Sequence, residues 1–371
     1  MIKDDSGLIS LDFIVGFTVF LAAFIVVISM LPGVYVNIQS SSADSGRDMT
    51  AYRTGVILAE DSGISLNGIP WEQQPPMRPE NIVRFGLAVS KETPNILSPE
   101  KTERFFNVPA YFNLTADEYR GKLMFGERPR SFNISFKEDG KETLYIGDRV
   151  PDGMYGFSKR YVKVKGAGRL VVPAENLTRD GVNIKLPEGA DEYICGNTTS
   201  FILSYANLSD RSVPPAYRID PKTERAFIVI GGINTVLGAQ DGISSAVIGS
   251  VELLKDGDPI TAADYDYGVK GSAYSSYPSY PPYICKVDGV PVENGTEIPI
   301  KDADVLEFVL FPNAMYFPNP DSKLEILFEM RYTCITDGEY RFIQGETDYG
   351  YDSPYLVPPH LTDGVLEVCI W

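Results

Sequence analysis

The residues with the most distinctive chemistry in this chain are four cysteines, Cys195, Cys285, Cys334 and Cys369. They are widely spaced, form no Cys-x-x-Cys pair and match no zinc-binding pattern. An even number of cysteines is typical of proteins in an oxidising exterior and predicts two disulfide bonds, for which three pairings are open. Buried free thiols are the alternative.

His360 is the single histidine of the chain. One histidine excludes metal sites with several histidine ligands, and Ser-His-Asp catalysis would have to depend on His360 alone. The sequence also has no Gly-x-Ser-x-Gly motif, no phosphate-binding loop ending in Lys-Ser/Thr, and no Gly-x-Gly-x-x-Gly after a strand. We therefore place His360 in a loop, assign no catalytic residues and do not expect an enzyme.

Acidic residues dominate the charge: fifty Asp and Glu against thirty-three Lys and Arg, a net charge of −17. This excess repels phosphate backbones, so no nucleic-acid partner is expected. Paired carboxylates of a glycoside hydrolase have no specific signal among so many acids, and a surface hydrolase stays a third alternative. No metal site is predicted. Ca²⁺ is the one cofactor considered, at a cluster that lacks EF-hand spacing and could equally be a solvated turn: Asp256, Asp258, Asp264 and Asp266.

Asn-x-Ser/Thr sequons are more frequent than the composition predicts, since about two would arise by chance. All six lie C-terminal to a long apolar stretch near the N-terminus, which indicates that the later chain faces a compartment where glycans are attached. The candidate glycosylation sites are Asn113, Asn133, Asn176, Asn197, Asn207 and Asn294.

The N-terminal region must position these groups relative to any membrane. A short polar leader ends at Gly7, and Asp12 is followed by an uncharged run over residues 13–31, with no further charge before Asp44. As a helix this run would be about 28 Å long, close to the ~30 Å hydrocarbon thickness of a bilayer. A carboxylate at the edge of such a run costs free energy on insertion, so Asp12 is expected to have a partner.

This arrangement resembles the N-terminus of type IV pilin-like proteins, especially the archaeal ones. The resemblance covers about 60 residues and implies that a prepilin peptidase cuts between Gly7 and Leu8. It further implies that the helix is first a membrane anchor and then the core of a filament. In that filament Asp12 would pair with the α-amino group of a neighbouring subunit.

Three other interpretations of the apolar run stay open. One is a secretory signal peptide with a cleavage site at residues 41–43, although the run is long for one. A second is an uncleaved signal anchor on a surface binding or adhesion protein that does not polymerise. The third is a buried core helix, although bulky apolar residues lie all round the run.

Beyond the run, Pro32-Gly33 predicts a break or bend, and residues 34–48 a flexible neck. Met49, Tyr52, Val56 and Ala59 then recur at helical spacing, an apolar stripe that we expect a β-sheet to cover. The helix should stop near Gly63. Farther on, Ser98 should cap a short helix with Pro99 at its first position, in a region (70–101) that looks like one following the anchor in archaeal surface proteins.

After residue 120, short runs rich in β-branched and aromatic residues alternate with turn residues, which favours a β-sandwich. The predicted strands are 131–136, 161–165, 227–230, 306–311, 324–330 and 365–371. A linker is predicted at 211–225 and divides the ectodomain near residue 215. The expected parts of the chain are a leader (1–7), a helical segment (8–62) and two β-rich parts (63–214 and 215–371). The expected class is α+β, with a long N-terminal apolar helix followed by a mainly β, sandwich-like ectodomain.

Residues 256–283 contain six tyrosines among Ser, Gly and Pro. Such a composition suits an exposed adhesive loop, and the alternative is a loop whose rings pack back on the sheet. Together these patterns predict a glycosylated, membrane-anchored cell-surface or pilus protein. Its expected partners are the membrane, copies of itself or other pilin-like subunits, and prepilin peptidase.

Overall fold

The protein is mostly β: strands account for 40% and helices for 24% of the structure. The computed structural model describes residues 11–66, 70–74, 78–124, 130–153, 155–178, 181–260, 282–292, 297–312, 314–315 and 317–371. The helices are α1 Leu11–Glu60, α2 Pro99–Phe106, α3 Val108–Phe112, α4 Ala116–Met124, α5 Tyr205–Leu208 and α6 Ile233–Leu237. Single-turn 3-10 helices lie at Trp71–Gln73, Pro79–Asn81, Ala174–Leu177 and Pro215–Tyr217.

The strands are short and follow one another with few intervening helices. In chain order they are β1 Ile64–Ser65, β2 Ile82–Arg84, β3 Ile96–Leu97, β4 Phe132–Glu138, β5 Leu144–Gly147, β6 Gly156–Lys165, β7 Arg169–Pro173, β8 Val182–Ile184, β9 Tyr193–Ser204, β10 Ala226–Gly231, β11 Ile243–Lys255, β12 Asp258–Pro259, β13 Tyr283–Val287, β14 Val290–Val292, β15 Ile298–Pro299, β16 Val305–Leu310, β17 Lys323–Cys334, β18 Gly338–Tyr340, β19 Gly345–Asp348, β20 Leu356–Val357 and β21 Leu361–Ile370.

The expected class, α+β with a long apolar N-terminal helix, is wrong. Helix α1 is long, but it is not apolar along its length, because its C-terminal part carries charged residues such as Arg53 and Glu60 and packs on a sheet. Within the described residues, none of the helices has an apolar stretch of the length needed to cross a bilayer. Of the break or bend predicted at Pro32-Gly33, the break is wrong, since the helix runs through these residues, and the bend stays a prediction. A proline inside a helix removes one N–H donor and crowds the carbonyl group four residues earlier, a cost that helix propagation on both sides outweighs here.

One sheet has the order β3-β6-β21-β4-β5 and receives helix α1 on its inner face. Its core contains Phe132, Ile134, Val162, Leu366 and Val368. Strand β6 alternates buried and exposed side chains, with Val162 and Val164 inward and an exposed Tyr161 outward. Strict alternation over residues 161–165 predicts one solvated face, and this is right for Tyr161 and Lys163, whereas Lys165 at the end of the strand is buried.

Two further sheets pack face to face. One has the order β14-β13-β16-β10-β7-β20, and the other β12-β11-β17-β9-β19 with β15 beside β11. Phe308 of the first sheet contacts Phe328 of the second edge to face, with ring centroids 5.4 Å apart, and Phe328 contacts Phe201 at 6.0 Å. These rings lie in the larger of two apolar cores.

The sheets cross the expected boundary at residue 215. Strands β7 and β9 precede that residue but pair with β10 and β17, which follow it, and the last strand, β21, pairs with β4 and β6. The end of the predicted linker is packed: Glu224 Oε2 lies 2.7 Å from Nζ of Lys165, whose side chain is buried. Burial raises the pKa of the Glu224 carboxyl, against the opposing effect of Lys165. The two β-rich parts therefore share their sheets.

The six predicted strands are confirmed as parts of β4, β6, β10, β16, β17 and β21. The predicted start of the second helix is confirmed as well. Ser98 precedes α2, its side chain accepts a hydrogen bond from the backbone N–H of Lys101, and Pro99 is the first helical residue. Helix α1 ends at Glu60, and Gly63 has a φ of +83°, a conformation that glycine adopts without strain.

Candidate assembly site

The first described part of helix α1 exposes an apolar surface on all sides. We call residues 13–29 the apolar segment. Twelve of its large hydrophobic side chains are 39–64% exposed, including Phe13, Phe17, Phe20, Phe24 and Ile25. Residues 13–29 contain no charged side chain. A helix that is apolar all round is stable when other apolar surfaces cover it.

The polar groups of the apolar segment are turned toward its own backbone. Thr18 Oγ1 donates to the carbonyl oxygen of Ile14 at 2.7 Å, and Ser29 Oγ donates to that of Val26 at 2.7 Å. The outward surface is thus left to aliphatic and aromatic groups. Burying the exposed half of each large side chain is worth about 1 kcal/mol, so the segment can contribute on the order of 10 kcal/mol to an association.

The second part of the helix, residues 46–60, differs from the apolar segment because one of its faces is buried. Its inward face consists largely of small residues, which let the helix lie close to the five-stranded sheet: Thr50, Ala51, Thr54, Gly55, Leu58 and Ala59. The predicted apolar stripe is only partly right, because Met49 and Tyr52 are 59% and 57% exposed while Ala59 is buried. The buried face is set by the fit of small residues against the sheet and not by the largest apolar ones.

Two glycines mark where helix and sheet touch. A Cβ at Gly55 would lie 3.0 Å from Oγ of Ser158 on β6, and one at Gly156 would overlap the backbone of Arg47. The end of the helix is held by an ion pair between Glu60 Oε1 and Arg160 Nη1, 2.6 Å apart. These contacts fix the direction in which the apolar segment leaves the β-rich part.

A buried ion pair lies beyond the end of the helix. Lys101 Nζ donates to the carbonyl oxygens of Ser62 and Ala88, at 3.0 and 2.9 Å, and lies 3.9 Å from Oε1 of Glu72. Oε2 of Glu72 has no hydrogen-bond partner among the described residues. Burial raises the pKa of Glu72 from 4.5 to about 7, although the Lys101 charge lowers it. Sequence reasoning missed this pair, because nothing local distinguishes these two residues from solvated ones.

The structure describes little of the residues predicted to take part in processing and assembly. Gly7 and Leu8 are outside the described residues. Asp12 lies in the first turn of α1, but its side chain is outside the described part. The predicted cut and the predicted assembly role of Asp12 stay predictions.

The candidate glycosylation sites differ in their surroundings. Asn113 and Asn176 are exposed. Asn133 and Asn207 are half-buried, and their Nδ2 atoms donate to the carbonyl oxygens of Asp148 (2.9 Å) and Tyr349 (3.3 Å). Asn197 is half-buried on β9, and Asn294 is outside the described residues.

All four cysteines are free thiols in the structure, so the two predicted disulfides are not present in it. Cys195 and Cys334 lie on neighbouring strands of one sheet, whereas Cys285 lies on β13 and Cys369 on β21, in two other sheets. The fold brings one pair together and leaves the remaining two cysteines in separate sheets.

The other groups considered for chemistry are described only in part. His360 is exposed in the loop before β21, as predicted. Asp256 is a turn residue with φ +52°, and its Oδ1 accepts a hydrogen bond from the backbone N–H of Lys323 at 2.8 Å. Asp258 lies on β12, whereas Asp264, Asp266 and the rest of the tyrosine-rich region over 261–281 are outside the described residues. Among the described residues, no group of three or more His, Cys, Asp or Glu could hold a metal ion.

Fold and site together define a mostly β protein with an exposed apolar helical segment held in a fixed direction. The chain matches no protein-family model, no curated protein and no solved structure. The physical properties of its own residues are therefore the basis for a functional proposal.

Proposed function

We propose that this chain is a type IV pilin-like cell-surface protein, a filament subunit or minor pilin, in which the apolar segment is the assembly element. The observation that carries the proposal is the exposure of the apolar side chains all round residues 13–29. Apolar area of this extent favours association, and helices of neighbouring copies present surfaces of the same kind.

The attachment of the helix supports an assembly role over a loose tether. Residues 46–60 pack on the five-stranded sheet, and the Glu60–Arg160 ion pair holds their end. Helices that pack in a filament core would therefore set the orientation of the β-rich part around it. The negative net charge and the sequons suit an exterior that faces solvent.

The proposal includes the steps before assembly. A prepilin peptidase would cut between Gly7 and Leu8, and the protein would be held at a membrane until it joins copies of itself or other pilin-like subunits. In the assembled state Asp12 would be neutralised by the α-amino group of a neighbour. The mature surface protein, isolated from its native cells, should then begin at Leu8 in an intact-mass measurement.

The experiment compares two aspartate substitutions at equally exposed apolar positions. Phe20 is 62% exposed in the apolar segment, and Val290 is 66% exposed on β14. The wild-type chain and each variant are cleaved so that they begin at Leu8 and are purified in detergent. The detergent is removed by dialysis, and assembly is measured by sedimentation and negative-stain electron microscopy. Wild type and Val290→Asp should form filaments or large oligomers, whereas Phe20→Asp should not, because a charge in the segment opposes its burial.

Assembly of Phe20→Asp at the wild-type level would overturn the proposal. A wild-type chain that stays monomeric after detergent removal but floats with lipid vesicles would also overturn it. That second result would favour the alternative, a membrane-anchored binding or adhesion protein that does not polymerise.

A further inference from the structure

Cys195 and Cys334 lie at one end of the central strand pair of the sheet formed by β12, β11, β17, β9 and β19. Strands β9 and β17 are antiparallel, with Cys195 opposite Tyr332 and Cys334 opposite Tyr193. The two cysteines are therefore diagonal neighbours, two positions apart in register. In an antiparallel sheet such residues share one face, so their side chains point the same way.

Both side chains are turned toward the core between the two packed sheets. Along β17, Met330, Tyr332 and Cys334 are buried in alternation. Cys195 is half-buried and packs against the same core. The pair is thus held by its strands, and no loop movement is needed to bring the residues together.

The two thiols are close to each other, since each affects the pKa of the other. The Cys195 thiol also lies 3.7 Å from the carbonyl oxygen of Tyr332, to which it can donate. A disulfide requires Cα atoms about 4.4–6.8 Å apart and a sulfur–sulfur bond of about 2.05 Å. Diagonal neighbours on paired strands are about 7–8 Å apart, so a small shift of the strands together with side-chain rotation closes the gap, whereas residues in different sheets would need whole sheets to move.

We infer that Cys195 and Cys334 form an intramolecular disulfide in an oxidising compartment, while Cys285 and Cys369 stay reduced. The inference is independent of the proposed function, because helix α1 packs on a different sheet. It selects one pairing among those that the sequence left open. It also replaces the expectation of two bridges with one.

The reaction is a thiol–disulfide exchange with an external disulfide such as oxidised glutathione or a disulfide oxidoreductase. The Cys195 thiol, the more accessible of the two, loses a proton, and its thiolate attacks the external disulfide and expels one thiolate. The Cys334 thiolate then attacks the Cys195 sulfur of the mixed disulfide and expels the second. The protein loses two protons and two electrons, and the external disulfide is reduced to two thiols.

The surroundings make this exchange slow at neutral pH. Burial raises the pKa of Cys334 to about 12 and raises that of Cys195 as well. Few thiolates are then present at neutral pH, so the rate should rise about tenfold per pH unit. An oxidoreductase that supplies an activated disulfide would overcome the low reactivity of these buried groups.

The test uses the full chain, reduced and then incubated with oxidised glutathione. Remaining thiols are alkylated in denaturant, and the protein is digested and mapped without reduction. We expect one cross-linked peptide pair containing Cys195 and Cys334, lighter than the two peptides by two hydrogens, with Cys285 and Cys369 alkylated. Alkylation of all four cysteines, or a cross-link through Cys285 or Cys369, would overturn the inference.

Two substitutions sharpen the result. Cys285→Ser is the matched control and should keep the cross-link, whereas Cys334→Ser should lose it and leave Cys195 as a mixed disulfide with glutathione. Both variants should assemble as wild type does, which separates this test from that of the proposed function. The mapping of wild-type protein decides the matter even where a variant does not fold.

Discussion

Nζ of Lys101 lies 3.9 Å from Oε1 of Glu72, and each side chain is only 1% exposed. Lys101 is the third residue of helix α2, and Glu72 belongs to a single-turn helix that follows α1. The ammonium group donates to three carbonyl oxygens, of Ser62, Ala88 and Val89. One carboxylate oxygen of Glu72 has no partner among the described residues. The carboxyl group of Glu72 is therefore only partly satisfied, and burial raises its pKa.

Stability should fall as the pH rises through the titration of Glu72. Burial raises its pKa from 4.5 to about 7 in the folded protein. Between these two pH values the folded state keeps a proton that the unfolded state has already released. The contribution is fully present below about pH 4.5 and is lost by about pH 7 and above, a change of ~3 kcal/mol in the free energy of unfolding. Glu72→Gln should flatten the profile by that amount in denaturant titrations between pH 4 and 8. Glu188→Gln, at an exposed position, is the control and should follow wild type.

The buried face of helix α1 can be tested with two alanine substitutions. Leu58 is 1% exposed against the sheet, whereas Met49, part of the predicted stripe, is 59% exposed. Leu58→Ala should lower the free energy of unfolding by about 2–5 kcal/mol, because it removes buried methyl groups and leaves a cavity. Met49→Ala should change it by less than about 0.5 kcal/mol. Guanidinium unfolding in a constant detergent background measures both, and a larger effect at Met49 would contradict the described packing.

Glycan occupancy should differ among the sequons. Asn113 and Asn176 are exposed and should carry glycans in protein isolated from its native cells. Asn133 and Asn207 should be less occupied, because their amide nitrogens are already directed at carbonyl oxygens in half-buried positions. Glycopeptide mass spectrometry gives the occupancy at each site. Equal occupancy at all four would show that these contacts do not influence modification.

Asp12 should matter for assembly more than for folding. If its carboxylate is neutralised by the α-amino group of a neighbour, Asp12→Ala should leave the unfolding midpoint unchanged and reduce filament yield. Glu188→Ala removes one negative charge at an exposed position and should have no effect on yield. Yield is measured by sedimentation and electron microscopy after processing. A wild-type yield from Asp12→Ala would remove any assembly role for this carboxylate.

Local patterns in the sequence predicted elements well where the signal is short-range. Alternation placed Val162 and Val164 on the inner face of β6, and Ser98 with Pro99 marked the start of α2. These features depend on neighbours within a few residues, through backbone preferences and capping hydrogen bonds. They needed no knowledge of the rest of the chain.

The same kind of reasoning failed where a distant surface decides the outcome. The stripe through Met49 and Tyr52 is more apolar than the face that the helix buries. The helix nevertheless packs on the sheet through the small residues around Gly55, because they allow the helix to lie close to it. The proline at position 32 likewise predicted a break that the helix does not have. In both cases packing or helix propagation outweighed a local preference.

The sequence by itself determined the strand-rich composition, the uncharged run over 13–31, the negative charge and the sequons, since each is a property of residue types and short spacings. Only the tertiary structure decided that β7 and β9 pair with strands beyond residue 215, that Glu72 meets Lys101, and that Cys195 lies beside Cys334. Those contacts join residues tens to more than a hundred positions apart. Which of many such pairings forms depends on how whole sheets bury their apolar faces, and no local pattern encodes that choice.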